Sequence, residues 1–509
     1  MKKCAILVVS IIMAGTSFAA GVPKLNANSY PNWFDTVILP PLLSQDKDNA
    51  VAPFMKELEG KKKSSKKDEA KKDKNEGEKS EKKKKEVKNA ILLEMEGGRV
   101  AQIVDDTETS LNLLTSCINK FKAHEEKAAI DISKNATKGA SVVAGEGINT
   151  YVEKPYEKIM MYMQQSMNYL AKNNLEDAMV DVRNANAEQK TAMERYQKEI
   201  EKVEKESNEK KVNYGDIVQK NYAGLDEMIG KVKNSFQNAY SFYICGVISE
   251  CYGLRETKDF NDAYISYKDA LEIYPENKYL QRDAIRLAKF LKMEEDYKDF
   301  TQRFPERAKE VESLKVNNDD GQIIVVYEDG LIPKLHQIDI PIPIPGIGLL
   351  TLSFPTYSKE DKEVLQPLEV SINSMNIKDN TEVICDLSAF AAKSLKERLP
   401  GMLAREIIRT GAMGVVQNQI GKRAGILGSI VATIADKELS KADLRALYSL
   451  PCYVQCFRSY ISPGQQTISL SSPNFSSPLD INLEIKPGSI TIVRVTRIKS
   501  TVYHKVFQI

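Results

Sequence analysis

At Asn317-Asn318-Asp319-Asp320-Gly321 the hydrophobic period of this chain changes, and no other feature limits its architecture as much. From about residue 90 to 309 apolar residues recur three and four apart, the spacing of one helix face. Afterwards they alternate in short runs bounded by turn residues. Residues 322–327 are a β-branched run and Glu328-Asp329-Gly330 a turn. Further strands are expected at 453–461, 466–471, 481–485 and 489–506, with turns at Pro463-Gly464 and Pro487-Gly488. The expected fold class is α+β: a helical domain over residues 90–310, then a mixed β-rich domain over 320–509 with a helical insert at 387–448.

Within the helical part the informative signal is internal repetition. Tetratricopeptide units place small residues where two antiparallel helices touch, a large residue beside them, and often a proline after the second helix. In the phrase DAYISYKDALEIYP, Ala263, Tyr267, Ala270 and Pro275 stand at those offsets. An earlier copy has Tyr162, Ser166 and Tyr169 in its first helix, then Ala178, Val182 and Ala185 in its second. A weaker third copy runs Gly98, Ala101, Ser110, Leu114 and Cys117. These residues are read as repeat packing; binding in such arrays belongs to the concave surface, which the pattern does not specify. The charged stretch at 188–210 reads as a solvated or coiled-coil helix.

In IDIPIPIPGIGLL, residues 338–350, isoleucine and proline alternate with the period of a strand. Pro341, Pro343 and Pro345 delete N–H donors along one edge only, while the isoleucines keep theirs for a neighbour on the other. That is an edge strand closed to outside partners. The alternative is a polyproline-type ligand, or an apolar tip at 346–350 that inserts into a partner. The insert carries Gly411, Gly414, Gly421, Gly425 and Gly428 amid Ala, Ile and Val, spacing that lets helices approach closely in water or in a membrane. Its apolar run covers about 18 Å of helix against a bilayer core of roughly 30 Å, which favours tight packing in water.

The chain opens with two lysines, a short apolar run and the small-x-small sequence Ser17-Phe18-Ala19, the pattern of a cleaved signal peptide over residues 1–19. Export is expected, to a periplasmic or outer-membrane-associated place. A leading segment, 20–60, contains the only tryptophan. Residues 61–89, nearly all Lys, Glu, Asp and Ser, read as a disordered linker that separates this segment from the rest, or as a weak contact to anionic lipid or cell-wall polymer. The six cysteines beyond Cys4 are core thiols or disulfides; fifteen pairings are open.

Seventy-two basic residues against 70 acidic ones leave no field for a nucleic-acid partner. The three histidines are scattered, and neither a nucleophile elbow nor a phosphate loop is present. No catalytic, cofactor-binding or metal residue is assigned, no cofactor is expected, and Asp105 and Asp106 read as helix-cap residues in a repeat turn.

Five phrases together resemble an uncharacterised bacterial envelope family of tetratricopeptide-repeat proteins: LEMEGGRVAQ at 93–102, YEK at 156–158 with the helix pair of 168–189, VYEDGL at 326–331, ERLP at 397–400, and ADLRAL at 442–447 ahead of Leu450-Pro451. The resemblance spans about residues 90 to 500. It implies envelope proteins that are often lipid-anchored and similar in context to outer-membrane lipoproteins of the curli-secretion and penicillin-binding-protein-activator types, with no catalytic residues to carry over. This sequence departs from the lipoprotein pattern at its cleavage site and carries the Lys-rich insert. The function expected is a non-catalytic scaffold or adaptor whose repeat groove holds a protein partner, with peripheral contact to membrane or cell wall. An envelope enzyme acting on peptidoglycan or polysaccharide, or a membrane-active protein using the Gly-rich helix, are the alternatives.

Overall fold

In the computed structural model, residues 25–72, 89–134, 151–210, 214–317, 319–344, 348–406 and 441–509 are described. The signal sequence, most of the Lys-rich run, Pro345 and the Gly-rich segment lie outside them.

The helices are α1 Tyr30–Trp33, α2 Leu39–Leu43, α3 Lys47–Lys72, α4 Ala90–Ile103, α5 Thr107–Lys134, α6 Pro155–Ala171, α7 Leu175–Lys210, α8 Tyr214–Asn221, α9 Ala223–Ile229, α10 Ala239–Tyr252, α11 Asn261–Ile273, α12 Lys278–Phe290, α13 Glu294–Arg303, α14 Pro305–Ser313 and α15, 387–406. The strands are β1 Gly321–Asp329, β2 Leu335–Ile344, β3 Gly348–Tyr357, β4 Glu369–Ile372, β5 Ile377–Asn380, β6 Glu382–Asp386, β7 Tyr453–Ile461, β8 Gly464–Ser471, β9 Leu479–Ile485, β10 Ile490–Ile498 and β11 Thr501–Gln508. They form a five-stranded sheet ordered β11-β10-β1-β7-β6, the hairpin β2-β3, and a four-stranded sheet β5-β4-β8-β9. In the five-stranded sheet only β1 and β10 run parallel.

Short turns join α4 to α5, α6 to α7 and α12 to α13, and the three are built alike. Asp105, Asn173 and Lys292 adopt positive φ of 64°, 56° and 60°. The next residue's N–H returns to a helix carbonyl, Asp106 to Ala101 (2.8 Å), Asn174 to Tyr169 (2.9 Å) and Met293 to Ala288 (2.9 Å), which satisfies carbonyls the helix end would leave bare. Asp106 and Asn174 then cap α5 and α7 by accepting from Thr109 and Asp177.

Three expectations are corrected. The leading segment does not stand apart: Tyr30, Trp33 and Phe34 are fully buried, Trp33 edge-on to Phe54 and Tyr30 stacked on Tyr448. An aromatic cluster of this size has more to gain from burial than an acidic and basic run can oppose. The Lys-rich run is not unstructured throughout, because α3 continues through it to Lys72. The helical insert stops short: 441–447 has no regular structure, and 444–447 are buried.

Candidate functional site

The first helix of each hairpin, α4, α6 and α10, together with α12, is turned inward, and the chain's own sheet and the segment 441–450 lie against these helices. Along β1 the residues on the helix-facing side are Gln322, Ile324, Val326 and Glu328, joined by Arg458 from β7 and by Arg494 and Thr496 from β10. A sheet face bearing two guanidinium groups is stable in an interior only if every charge meets a partner there.

At one end Arg458, fully buried, reaches Glu250 of α10 at 2.7 Å and Asp283 of α12 at 3.0 Å. It also donates to Tyr267 and Gln322, and Arg286 closes on Glu250 at 2.9 Å. Burial pushes the Glu250 carboxyl up, but Arg286 and Arg458 outweigh it and hold the group well below the usual carboxylate range. At the other end Arg99 of α4 pairs with Glu328 at 2.6 Å, and Glu328 also accepts from Thr496. Gln102 links that pair to α6 through the Gln164 carbonyl and Asn168; Asn168 donates to Ser110 of α5.

Beyond the Arg99 end lies a seat for 441–450, built from helix side chains that bond to backbone. Glu96 accepts from the N–H groups of Tyr448 (3.0 Å) and Ser449 (2.6 Å) and from the Tyr30 hydroxyl. Glu157 accepts from Leu447 N–H at 3.0 Å, and Lys154 donates to the Arg445 carbonyl at 2.8 Å. Leu444 N–H reaches the Ala27 carbonyl, and Arg445 pairs with Asp443 and bonds to Asn89. Burial pushes the Glu96 carboxyl up to about 7 although its hydrogen bonds pull the other way, and burial likewise lowers Lys154. Nothing in this arrangement presents a nucleophile to solvent. Its chemistry is the recognition of backbone N–H and C=O groups by two carboxylates and a lysine.

The phrases 93–102, 156–158, 326–331 and 442–447 therefore meet in one place. Their shared contacts join residues more than 200 apart in sequence, such as Arg99 with Glu328 and Glu96 with Ser449. The only hint available beforehand was the placing of Glu94, Glu96, Arg99 and Gln102 among the apolar residues of one helix, LLEMEGGRVAQI.

The residues read as repeat packing lie between helices. A Cβ on Gly98 would meet Leu114 of α5 at 2.3 Å. Ala178, Ala185, Ala263, Ala270 and Ser166 are fully buried, Tyr162 is buried and Tyr169 half-buried; Pro275 sits in the turn before α12. Tyr267 fills the space left by Gly246, whose Cβ would lie 2.5 Å from its ring, and its hydroxyl donates to Glu250 at 2.8 Å. In β2, Ile340 and Ile342 are buried and Pro341 is exposed; Pro343 continues the strand. All six cysteines beyond Cys4 are buried free thiols.

Among the described residues no helix is long and apolar enough to cross a membrane, and no group of His, Cys, Asp and Glu could hold a metal ion. Fold and seat define a mixed helix-and-sheet protein whose helical array encloses part of its own chain. Compared with known proteins, it matches no family, no curated protein and no solved structure.

Proposed function

We propose that the protein is a non-catalytic scaffold or adaptor, exported to the bacterial envelope, that binds a protein partner there. One observation carries this reading: the inward helices hold a segment without regular structure by its N–H and C=O groups, through Glu96, Glu157 and Lys154, as a peptide-binding repeat array holds a ligand. The alternating contacts of α4–α7 and α10–α12, with small residues at the crossings, support a tetratricopeptide-like array. Because its own sheet takes up the inner face, the partner is met by surfaces that remain outside, rather than in the groove expected beforehand.

Capture from bacterial envelope extract with the full chain tests the proposal. A recurrent protein partner is the expected result. Turnover of peptidoglycan or polysaccharide by the purified chain, or its sedimentation with liposomes in place of a protein partner, would overturn it. Mass spectrometry of exported material should find an N-terminus at Ala20 or Gly21 without acyl chains; a diacylated form would contradict the expected route.

A further inference from the structure

Between the end of α10 and the turn joining β9 to β10 lies a cleft of about 290 Å³, bordered by Leu254, Arg255, Lys486, Pro487, Ile490 and Ile509. Its rims lie far apart in sequence, and backbone bonds fix both. On one rim the chain leaves α10 in a widened turn, in which the Lys258 N–H returns five residues to the Gly253 carbonyl at 2.8 Å. A Cβ on Gly253 would run into the Asp259 carbonyl, so the turn depends on that glycine. Widened helical turns are uncommon and gather at functional positions. On the other rim Pro487-Gly488 makes a tight turn, with Gly488 at φ 64° and the Ser489 N–H on the Lys486 carbonyl at 3.2 Å. The Gly488 N–H bonds to the Asp319 carbonyl and the Gln322 N–H to that of Ser489, which ties this turn to the sheet.

The two rims set two cations beside one hollow. Arg255 and Lys486 are exposed, and among the described residues neither forms an ion pair; Arg255 donates to the Asn173 side-chain oxygen at 3.5 Å. No Asp or Glu side chain borders the hollow. Gln508, at its edge, gives its side-chain N–H to the Glu484 carbonyl at 2.6 Å, which leaves the guanidinium and the ammonium as donors. A second hollow of about 310 Å³ shares Arg255, but Glu176 and Glu256 border it and repel negative charge. We propose that the cleft at Arg255 and Lys486 binds a small organic anion. Its carboxylate or phosphate head lies between the two cations, and its apolar body lies against Leu254, Pro487 and Ile490. The site is distinct from the seat of 441–450 and does not rest on the adaptor reading.

The apolar lining separates this ligand from a bare ion. Two exposed cations attract any anion weakly, and salt screens them. An alkyl chain adds a contribution that salt does not remove, because each methylene taken out of water strengthens binding up to about fourfold. An inorganic ion leaves Leu254 and Pro487 in contact with water and gains nothing from them.

The test titrates the full chain with hexanoate and with hexyl phosphate, beside acetate, inorganic phosphate and neutral hexanol, at constant ionic strength, followed by ligand-detected NMR. At least one hexyl anion should bind saturably and about tenfold tighter than its short counterpart and than hexanol; the tighter of the two identifies the head group. Arg255→Gln and Lys486→Gln, both at exposed positions, should each weaken that binding about tenfold. Lys233→Gln, an exposed lysine before the opposite end of α10, should leave it unchanged. Hexyl anions that bind no tighter than acetate, phosphate or hexanol would overturn the proposal, and so would binding that survives both cleft variants or falls equally in Lys233→Gln. If a cleft variant does not fold, the series of probes on the wild-type chain decides alone. Failure here leaves the adaptor reading standing, since capture from envelope extract tests that reading separately.

Discussion

Arg458 shows what a single residue does in this interior. It ties Glu250 of α10 and Asp283 of α12 to the sheet, and all three side chains are buried. Arg458→Ala leaves two carboxylates enclosed with Arg286 alone and should cost about 3–5 kcal/mol, measured by denaturant unfolding. The loss should depend on pH. A carboxyl held below its ordinary value contributes stability that is present above that value and fades as pH falls toward the lowered one. In the variant the Glu250 carboxyl is released upward, so the gap from wild type should be widest near neutrality and narrow below 4.5, the ordinary glutamate value. A gap that does not change with pH would mean that packing, not charge, sets the cost. Glu96 behaves in the opposite sense. Its carboxyl is raised, so its own contribution to stability declines as pH rises from about 4.5 toward about 7.

Among the elements, the helix hairpins and the β2–β3 ladder carry separate predictions. Ala263 of α11 is fully buried, so Ala263→Leu should overpack that crossing and cost about 1–3 kcal/mol; an unchanged melting temperature would place the crossing elsewhere. Replacing Pro341 and Pro343 together by Thr restores donors to the closed edge of β2. The hairpin should persist, because its cross-strand bonds come from the isoleucines, and light scattering should detect concentration-dependent oligomers. What the sequence makes legible at this scale follows from local physics. The bounds of β7 are read correctly because a long β-branched and aromatic run lies between proline and glycine signals. The expected strand at 489–506 is really β10 and β11, broken at Lys499 with φ 54°, a turn without the glycine or asparagine that would announce it. The strands β4 to β6 are too short for a period to show. The segment 441–448 has apolar residues at helical spacing, Leu444, Leu447 and Tyr448, yet forms no helix there, because Glu96 and Glu157 claim N–H groups a helix would use. No local signal encodes that competition, and for the same reason neither the seat nor the Arg458 cluster could be placed beforehand.

For the whole molecule, the division at residues 310–320 separates periods but not interiors. Buried residues from the leading segment, the helices and the sheets form one continuous core, and ion pairs cross it at both ends. Heating should therefore give one transition, coincident by far-ultraviolet and near-ultraviolet dichroism, and residues 90–310 alone should not fold cooperatively. Two separated transitions would mean that sheet and helices are independent bodies after all. The Glu96 carboxyl meets its backbone donors, and the Arg99 guanidinium its carboxylate, only after residue 449 and residue 328, respectively, have been made.

That sheet also sets a clock on synthesis. Its centre, β1, is flanked by β10 on one side, and β10 is translated some 160 residues later. A ribosome making about 5–20 residues per second delivers that partner on the order of ten seconds after β1 has emerged. Through that interval β1 has a bare edge, the condition under which nascent chains attract chaperones. Stalling the ribosome just before residue 490 should yield chains that a protease cuts within the helical array, whereas stalling far enough beyond residue 509 for the end to clear the exit tunnel should yield resistant ones.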